Sequence, residues 1–456
     1  MSEPPISEKA LMAQADARAA AYLASVDARP VYPDAQALAR LVAFDEALPE
    51  AGASASETLA MLDEIGSPAT TVSNGPNYFG FVIGAALPAA AAVERLMIAW
   101  DQCASSFVNS PVAATVEKIA GRWVLDVLDL PRTSAVGFGT SATACTLSCL
   151  AAARRRLLGR AGWDFDAFGL AGAPEIRVVV PETVHITVLK ALRLLGFGMK
   201  RIVFAPVDAA VRVDPERMPM VDARTILCLQ AGEVNTGEFD PFAAIIPRAR
   251  AAGAWVHVDG AFGLWARASY SRRALAEGIE EADSWTTDGH KWLNTPYDCA
   301  MAICRDAGAL AEAMNADAAY SSASADAQKN LTLEFSRRAR GVSLWAALRT
   351  LGREGIGAMI DRHCEQAARI AQALRDMGLE VLNRPVINQV LARGRDDAET
   401  DAIRTGVERS GLAWFGGTLW QGRPAFRISV SSWRTTDADI DRLIGAIGDQ
   451  VALGRR

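Results

Sequence analysis

Two short stretches of the chain decide its fold. Residues 255–261 read WVHVDGA, and residues 284–292 read SWTTDGHKW. The first is an apolar run that ends in Asp259, which predicts a strand with a carboxylate at the sheet edge where α/β proteins bind ligands. An aspartate that caps a turn explains this segment equally well. In the second stretch, Lys291 lies beside a histidine and between tryptophans, which is a poor setting for a solvated side chain.

Lysine is rare in this chain, and its rarity makes Lys291 informative. Of the 47 basic residues only six are lysines, at positions 9, 118, 190, 200, 291 and 329. A lysine kept in a segment that reads as buried indicates a need that arginine cannot meet, such as an amine that loses its proton. Burial lowers the pKa of a lysine and leaves a nucleophilic amine that can form a Schiff base. The alternative is a structural lysine whose ammonium group reaches solvent.

A third segment, residues 139–144 (GTSATA), runs from a strand end into a helix. Backbone N–H groups and hydroxyls at a helix N-terminus suit a phosphate, although Ser or Thr at that place is also an ordinary N-cap. His185 begins the segment HITVLKALRLLG, either as a simple helix-start residue or as a ring that stacks on a ligand. A phosphate cradle, a strand-end aspartate and a downstream lysine are together what pyridoxal phosphate requires. The aspartate keeps the ring nitrogen protonated, and this makes the ring an electron sink.

The order of elements predicts an α/β protein. Residues 1–65 and 111–128 have helical spacing, and strands are predicted at 135–139, 176–180, 201–204, 225–229, 255–259 and 300–304, with helices at 142–158 and 185–195. Strands that alternate with helices predict a mostly parallel sheet covered on both faces. A helix over 343–375 and strands at 380–382, 389–392 and 426–430 predict a smaller α+β unit. We therefore expect an N-terminal helical segment (1–75), a large cofactor-binding domain (76–345) and a small C-terminal domain (346–456).

Composition argues against several other classes of protein. The 456 residues are 50% hydrophobic and 22% charged, as in globular proteins, and the net charge of −6 gives no cationic surface for nucleic acid. The longest apolar run, 79–93, spans 15 residues and is interrupted by glycine and proline, whereas a membrane span needs about 20. The N-terminus lacks the layout of a secretory signal. Seven cysteines without a CxxC pair and four histidines without metal-ligand spacing predict a reduced, cytoplasmic protein without a metal site.

The chain resembles the group II pyridoxal-phosphate-dependent amino acid decarboxylases, the family that includes aromatic-amino-acid and glutamate decarboxylases. The resemblance covers about residues 70–435. It rests on NYFGFV (77–82), NSPVAATVE (109–117), TSATACTL (140–147), AGEVNTGEFDP (231–241), HVDGAFG (257–263), DGHKWLNTPYDC (288–299) and FRISVSSWRTT (426–436). It implies the aspartate aminotransferase-like fold (PLP fold type I), a homodimer, and a lyase that decarboxylates an L-amino acid.

The resemblance also implies a role for each residue of the site. Lys291 would form the Schiff base with the cofactor, Asp259 would pair with the pyridine nitrogen, and His185 would stack on the ring. Ala142, Thr143 and His290 would contact the phosphate. Ala261 would pack on the ring face opposite His185, and Asn235 or Thr236 would lie near the cofactor.

Two positions depart from the family pattern. A glutamate often follows the phosphate-binding Ser or Thr of such enzymes, and here that residue is Ala144. Family decarboxylases donate a proton from a tyrosine on a mobile loop, and the matching stretch, 320–335, is short and has Tyr320 at its start. We predict that Tyr320 is mainly structural and that His185 or a water molecule donates the proton.

These departures leave other reactions open. A transaminase, an aldehyde synthase or a retro-aldol lyase would use the same site, and a non-catalytic protein that binds the cofactor is a further alternative. The segment Phe81-Val82-Ile83-Gly84, where relatives line the substrate pocket, is apolar. It favours a substrate with an apolar or aromatic side chain.

Overall fold

A computed structural model describes residues 6–315, 324 and 326–455, and its strands form two sheets. The large sheet contains β1 (Ala135–Gly139), β2 (Arg177–Pro181), β3 (Val203–Ala205), β4 (Thr225–Gln230), β5 (Trp255–Asp259), β6 (Ser284–Asp288) and β7 (Ala300–Cys304). The small sheet contains β8 (Glu380–Val381), β9 (Gln389–Arg393), β10 (Gly416–Trp420) and β11 (Arg423–Ser429).

Helices surround both sheets. Those before the first strand are α1 (Glu8–Ser25), α2 (Ala35–Arg40), α3 (Ala55–Met61), α4 (Pro88–Trp100) and α5 (Pro111–Val127). Those within and after the large sheet are α6 (Ala142–Arg160), α7 (Phe165–Phe168), α8 (Ile186–Leu194), α9 (Phe242–Ala251), α10 (Ala307–Met314), α11 (Arg340–Asp376), α12 (Asp397–Ser410) and α13 (Asp437–Gly454). The long helix α11 has a kink at Gly352, where φ is 61°. No helix in the described part of the chain is long and apolar enough to cross a membrane.

The large sheet is mostly parallel, as the alternation of strands and helices predicts. Its order is β1-β7-β6-β5-β4-β2-β3, and only the pairs that involve β7 are antiparallel. Consecutive residues of its central strands face opposite sides, so that both faces are buried. Leu227 and Val256 face the core that contains α9 and α11, whereas Ile226 and Cys228 face the core that contains α6 and α8.

The small sheet is antiparallel, with the order β10-β11-β9-β8. It packs on the C-terminal half of α11 and on α12 and α13, through a core that includes Ile370, Val390, Ile403, Phe426 and Ile440. The two-unit α/β architecture predicted from the sequence is therefore confirmed. The same helix α11 contributes Leu344 to the core of the large sheet and Ile370 to that of the small one.

Two strands are absent from the sequence prediction. β6 reads SWTTD, which looks polar, yet all five of its residues are buried. The Thr146 hydroxyl on α6 donates to the hydroxyl of Thr286 at 3.2 Å, so at least this buried hydroxyl is satisfied. β10 begins with two glycines, which weaken the strand signal. The apolar run 79–93, predicted to be core or loop, enters α4 at Pro88.

Candidate active site

Asp259 and Asp288 end the neighbouring parallel strands β5 and β6. Ala261 connects the two strand ends, because its amide donates to Asp259 Oδ1 at 3.1 Å and its carbonyl accepts from the Asp288 amide at 2.9 Å. The predicted lysine follows Asp288 by three residues. The sheet therefore brings two carboxylates and an amine to one edge.

The carboxylate of Asp259 is buried and only partly used. Its Oδ2 accepts no hydrogen bond from the described residues, while Oδ1 accepts from the Ala261 amide. Burial raises the pKa of Asp259 above that of an ordinary aspartate, and the nearby charges of His185 and Lys291 oppose this rise. The site thus holds, on a buried residue, one carboxylate oxygen that is available to an N–H donor.

Lys291 forms an ion pair with the other aspartate. Its Nζ lies 3.2 Å from Asp288 Oδ2, and its side chain is 24% exposed. The backbone of Lys291 packs tightly against the 80–84 loop, since a Cβ on Gly84 would lie 2.1 Å from the Lys291 carbonyl oxygen. Only glycine fits at this close approach. On the other side, the buried Trp292 donates from Nε1 to His363 Nδ1 at 3.0 Å, which anchors the segment to α11.

His185 caps the N-terminus of α8 and faces the same edge. Its Nδ1 lies 2.7 Å from Thr187 Oγ1 and accepts from the Thr187 amide, which leaves the ring proton on Nε2. Burial lowers the pKa of His185, Asp259 opposes this effect, and the cations Lys291 and Arg427 reinforce it. The imidazole is therefore neutral, and the charged groups around it include Asp259 and Lys291, which both belong to the predicted site.

The N-terminus of α6 already binds an anionic group of the protein itself. The Ala142 amide donates to Asp288 Oδ1 at 2.7 Å, and the Ser141 hydroxyl caps the helix by accepting from the Ala144 amide. The amide and hydroxyl of Thr143 form no hydrogen bond with the described residues. A helix N-terminus with a free amide is a favourable place for a phosphate.

His290 lies beside this helix start. Its Nδ1 accepts from the Cys299 amide at 3.1 Å, so that the neutral ring carries its proton on Nε2, which is 3.7 Å from Asp288 Oδ1. Burial lowers the pKa of His290, although Asp288 opposes this shift. His290 is therefore a neutral N–H donor near the α6 N-terminus.

The predicted loop residues Asn235 and Thr236 are both held by one acid. Glu233 accepts from the amides of both residues and from the Thr236 hydroxyl and the Asn235 side chain, while Asn235 Oδ1 accepts from Thr418 of β10. Asn235 shares with His185 a cleft of about 410 Å³ between the large sheet and the β10–β11 hairpin. Asn235 thus lies on the His185 side of the site, and Thr236 is turned toward Glu233.

Comparison with known proteins identifies this arrangement. Residues 39–391 match the model of the pyridoxal-dependent decarboxylase conserved domain. The chain belongs to the pyridoxal-dependent decarboxylase family. This decarboxylase uses pyridoxal phosphate as its cofactor and acts on an amino acid.

Individual relatives agree with the family match. The decarboxylase is 28% identical to tryptophan decarboxylase 1 of Oryza sativa subsp. japonica over 384 residues, 78% of this chain and 73% of that protein. It is 28% identical to the L-2,4-diaminobutyrate decarboxylase of Rhizobium meliloti (strain 1021) over 447 residues, 91% of this chain and 86% of that one. The crystal structure of Oryza sativa TDC with PLP and tryptamine has the same fold, with a TM-score of 0.91 at 23% identity and full coverage of both chains.

The donor set of the decarboxylase fits pyridoxal phosphate. Lys291 would supply an amine for the aldehyde, and Asp259 Oδ2, which has no hydrogen bond from the described residues, would accept from the ring nitrogen. Thr143 and His290 would supply the neutral N–H and O–H donors that a phosphate needs.

Sequence reasoning assigned no role to Asp288, although the residue lies within the DGHK motif. Because Asp288 ends a strand that the sequence did not predict, its contacts with Lys291 and with α6 could not be anticipated. Tyr297, in the same motif, was also passed over, and its ring stacks on His290. Tyr320 lies outside the described residues, so that its predicted structural role stays a prediction.

Proposed function

We propose that Lys291 bonds the aldehyde carbon of pyridoxal phosphate, that Asp259 pairs with the ring nitrogen, and that His185 stacks on the ring. The observation that carries this proposal is the setting of Asp259: a buried carboxylate with one free oxygen, whose charge neighbours include His185 and Lys291. Ala261, whose amide is tied to Asp259, would underlie the ring face opposite His185. Mutation of Lys291 and Asp259, described in the Discussion, tests these roles.

The phosphate would lie at the start of α6. In this proposal the Thr143 amide and hydroxyl and the His290 Nε2–H donate to it, and Ala142 packs beside it. Asn235 would approach from the side of the β10–β11 hairpin, where it already contacts Thr418. These donors are uncharged, and the N-terminal dipole of α6 adds to their attraction for an anion.

When bound, pyridoxal phosphate supplies a conjugated ring that takes up the electron pair released as CO2 leaves. Asp259 favours this by holding a negative charge against the ring nitrogen in a buried site, where charges interact more strongly than in water. His185 covers one face, keeps water away from it, and has its proton on Nε2, from which it can be delivered to the substrate carbon. The ion pair with Asp288 holds the Lys291 amine at the end of β6 before the cofactor binds.

We further propose that the substrate carries an aromatic or apolar side chain. The 80–84 loop lies against Lys291, and the rings of Tyr78 and Phe81 stack on Trp414 at centroid distances of 5.0 and 5.5 Å. Phe81 remains 58% exposed, so that it offers an aromatic surface to a ligand. A substrate with a second amine would need a free acid, and Glu233 beside the site is already occupied by four donors.

A product assay distinguishes these possibilities. The purified enzyme, supplied with pyridoxal phosphate, is incubated with each of the twenty amino acids, with 2,4-diaminobutyrate and with phenolic variants. CO2 and amine are scored against keto acid and aldehyde. We expect CO2 and an amine from an aromatic or apolar amino acid. Activity on 2,4-diaminobutyrate alone would contradict the substrate proposal, and keto acid without CO2 would indicate transamination.

We also propose that the enzyme is a homodimer. α4 and the segment after it expose several large apolar side chains, among them Leu96 (51% exposed), Ile98 (60%), Phe107 (63%) and Val108 (86%). Exposed apolar surface of this kind is typical of an interface between protein chains. Light scattering of the wild type and of Ile98→Glu checks this, and we expect twice the monomer mass only for the wild type.

Two broader expectations remain proposals. All seven cysteines are free thiols, as in proteins of a reducing compartment, which supports a cytoplasmic location. The division at residues 75 and 345 also remains a proposal, and the second boundary falls inside α11.

A further inference from the structure

Tyr297 is a phenol placed beside the proposed phosphate site. It lies in the loop between Lys291 and β7, most of whose residues are buried, yet Tyr297 is 56% exposed. Its ring stacks on the ring of His290, with 4.4 Å between centroids and 27° between planes. The hydroxyl forms no hydrogen bond with any residue that the structure describes.

The loop that carries Tyr297 is rigidly held. The Cys299 carbonyl accepts from the Gly289 and His290 amides, and the Cys299 amide donates to His290 Nδ1. Beside Tyr297, Asp298 pairs with Arg340 of α11 at 2.9 Å. These contacts hold the backbone of Tyr297 in place, and its ring packs against His290.

Through its contact with His290, Tyr297 lies near Asp288 and the start of α6. His290, on which the Tyr297 ring stacks, has its Nε2 3.7 Å from Asp288 Oδ1, and the same carboxylate oxygen accepts from the Ala142 amide at the start of α6. The ordinary pKa of a phenol is about 10. The phenol therefore stays protonated at neutral pH and acts as a hydrogen-bond donor. A phenolic donor that meets no acceptor among the described residues, and whose ring stacks on the proposed phosphate-binding His290, is placed to donate to an anion at the start of α6.

The phosphate site also needs such a donor. Asp288 puts a negative charge beside it, and the other proposed donors, Thr143 and His290, are neutral. Because Lys291 is proposed to bond the aldehyde, it does not supply a positive charge to the phosphate. Each additional neutral donor therefore strengthens the binding of the phosphate dianion, which the carboxylate of Asp288 repels.

We propose that the hydroxyl of Tyr297 donates a hydrogen bond to the phosphate group of the cofactor. This assignment rests on the proposed position of the phosphate at the start of α6. It makes Tyr297 a cofactor-binding residue beside His290, on which its ring stacks.

Removing only the hydroxyl tests the assignment. Apo-protein of the wild type, Tyr297→Phe and Tyr270→Phe is titrated with pyridoxal phosphate and, separately, with pyridoxal, and binding is followed by quenching of tryptophan fluorescence. Tyr270 is 90% exposed and serves as the matched control. We expect Tyr297→Phe to weaken pyridoxal phosphate binding about tenfold or more, as for a bond to a charged acceptor, with pyridoxal binding unchanged.

Other outcomes overturn the proposal in distinguishable ways. Equal affinity of Tyr297→Phe and Tyr270→Phe for pyridoxal phosphate would show that the hydroxyl does not bind the phosphate. An equal loss for both ligands would indicate a structural role of the ring. A second readout is the ³¹P resonance of the bound cofactor, which we expect to shift in Tyr297→Phe, and an unshifted resonance contradicts the assignment. A wild type that binds neither ligand would instead refute the proposed function itself.

Discussion

The two aspartates at the sheet edge share an Asp-Gly pair at a strand end but have different surroundings. Asp259 and Asp288 each end a parallel strand, and each is followed by glycine. Asp288 uses both carboxylate oxygens, one for the Ala142 amide and one for Lys291. Asp259 uses one, and burial raises its pKa. The difference shows that the strand-end motif gives a carboxylate its place, while its neighbours determine whether it is saturated by the protein or left for a ligand.

The largest effect is expected from removing the amine of Lys291. Lys291→Ala should abolish turnover, because no amine remains to bond the aldehyde, and the purified protein should lose its yellow colour. Amine formation and the visible absorption spectrum measure both effects, and Lys190→Ala, an exposed lysine on α8, is the control. Full activity of Lys291→Ala would remove the central assignment.

Asp259→Asn should lower turnover by at least about a hundredfold, since a neutral amide no longer stabilises a protonated ring nitrogen. The fold should be unaffected, because the asparagine oxygen can still accept from the Ala261 amide. Steady-state kinetics with saturating cofactor measure the loss, and thermal unfolding checks the fold. Near-normal rates would mean that Asp259 is not the partner of the ring.

Asp288→Asn should have a smaller effect, roughly a fivefold to twentyfold loss of kcat. Its oxygen can still accept from Ala142, but the ion pair with Lys291 is lost. Cofactor affinity should stay equal or rise, because one negative charge near the phosphate is removed. Kinetics and a cofactor titration separate these effects. If Asp288→Asn proved more damaging than Asp259→Asn, the comparison between the two residues would be reversed.

The smallest effect concerns stability, through two fully buried histidines. His257 precedes Asp259 on β5, and His363 accepts from Trp292 beside Lys291. Burial lowers the pKa of both from 6.5 to about 3. Below pH 6.5 the unfolded chain gains protons that the folded protein does not bind, so that stability falls as pH falls toward 3.

Each of these histidines should contribute about 1.4 kcal/mol per pH unit to this acid destabilisation. Urea unfolding of the wild type and of His257→Gln at pH 7 and pH 5 measures the difference. The variant should lose less stability than the wild type between the two pH values. An equal loss in both proteins would contradict the neutral state of His257.

Much of the site could be predicted because its chemistry is local in the chain. Lys291 stands out as a rare lysine in an apolar setting, and Asp259 ends an apolar strand, so each has a signal within a few residues. The alternation of strands and helices gave the parallel sheet for the same reason. β6 could not be predicted in this way, because its threonines are buried only through partners such as Thr146, which is 140 residues away.

The sequence by itself therefore determined which chemical groups are present and at which strand ends they lie. Only the tertiary structure decided how those groups are used. The contact of Ala142 with Asp288 joins residues 146 positions apart. The stacking of Tyr297 on His290 depends on a loop that closes back on β7. The physical reason is that hydrogen bonding and desolvation depend on neighbours in space, and a strand-end motif does not specify which distant segments those neighbours come from.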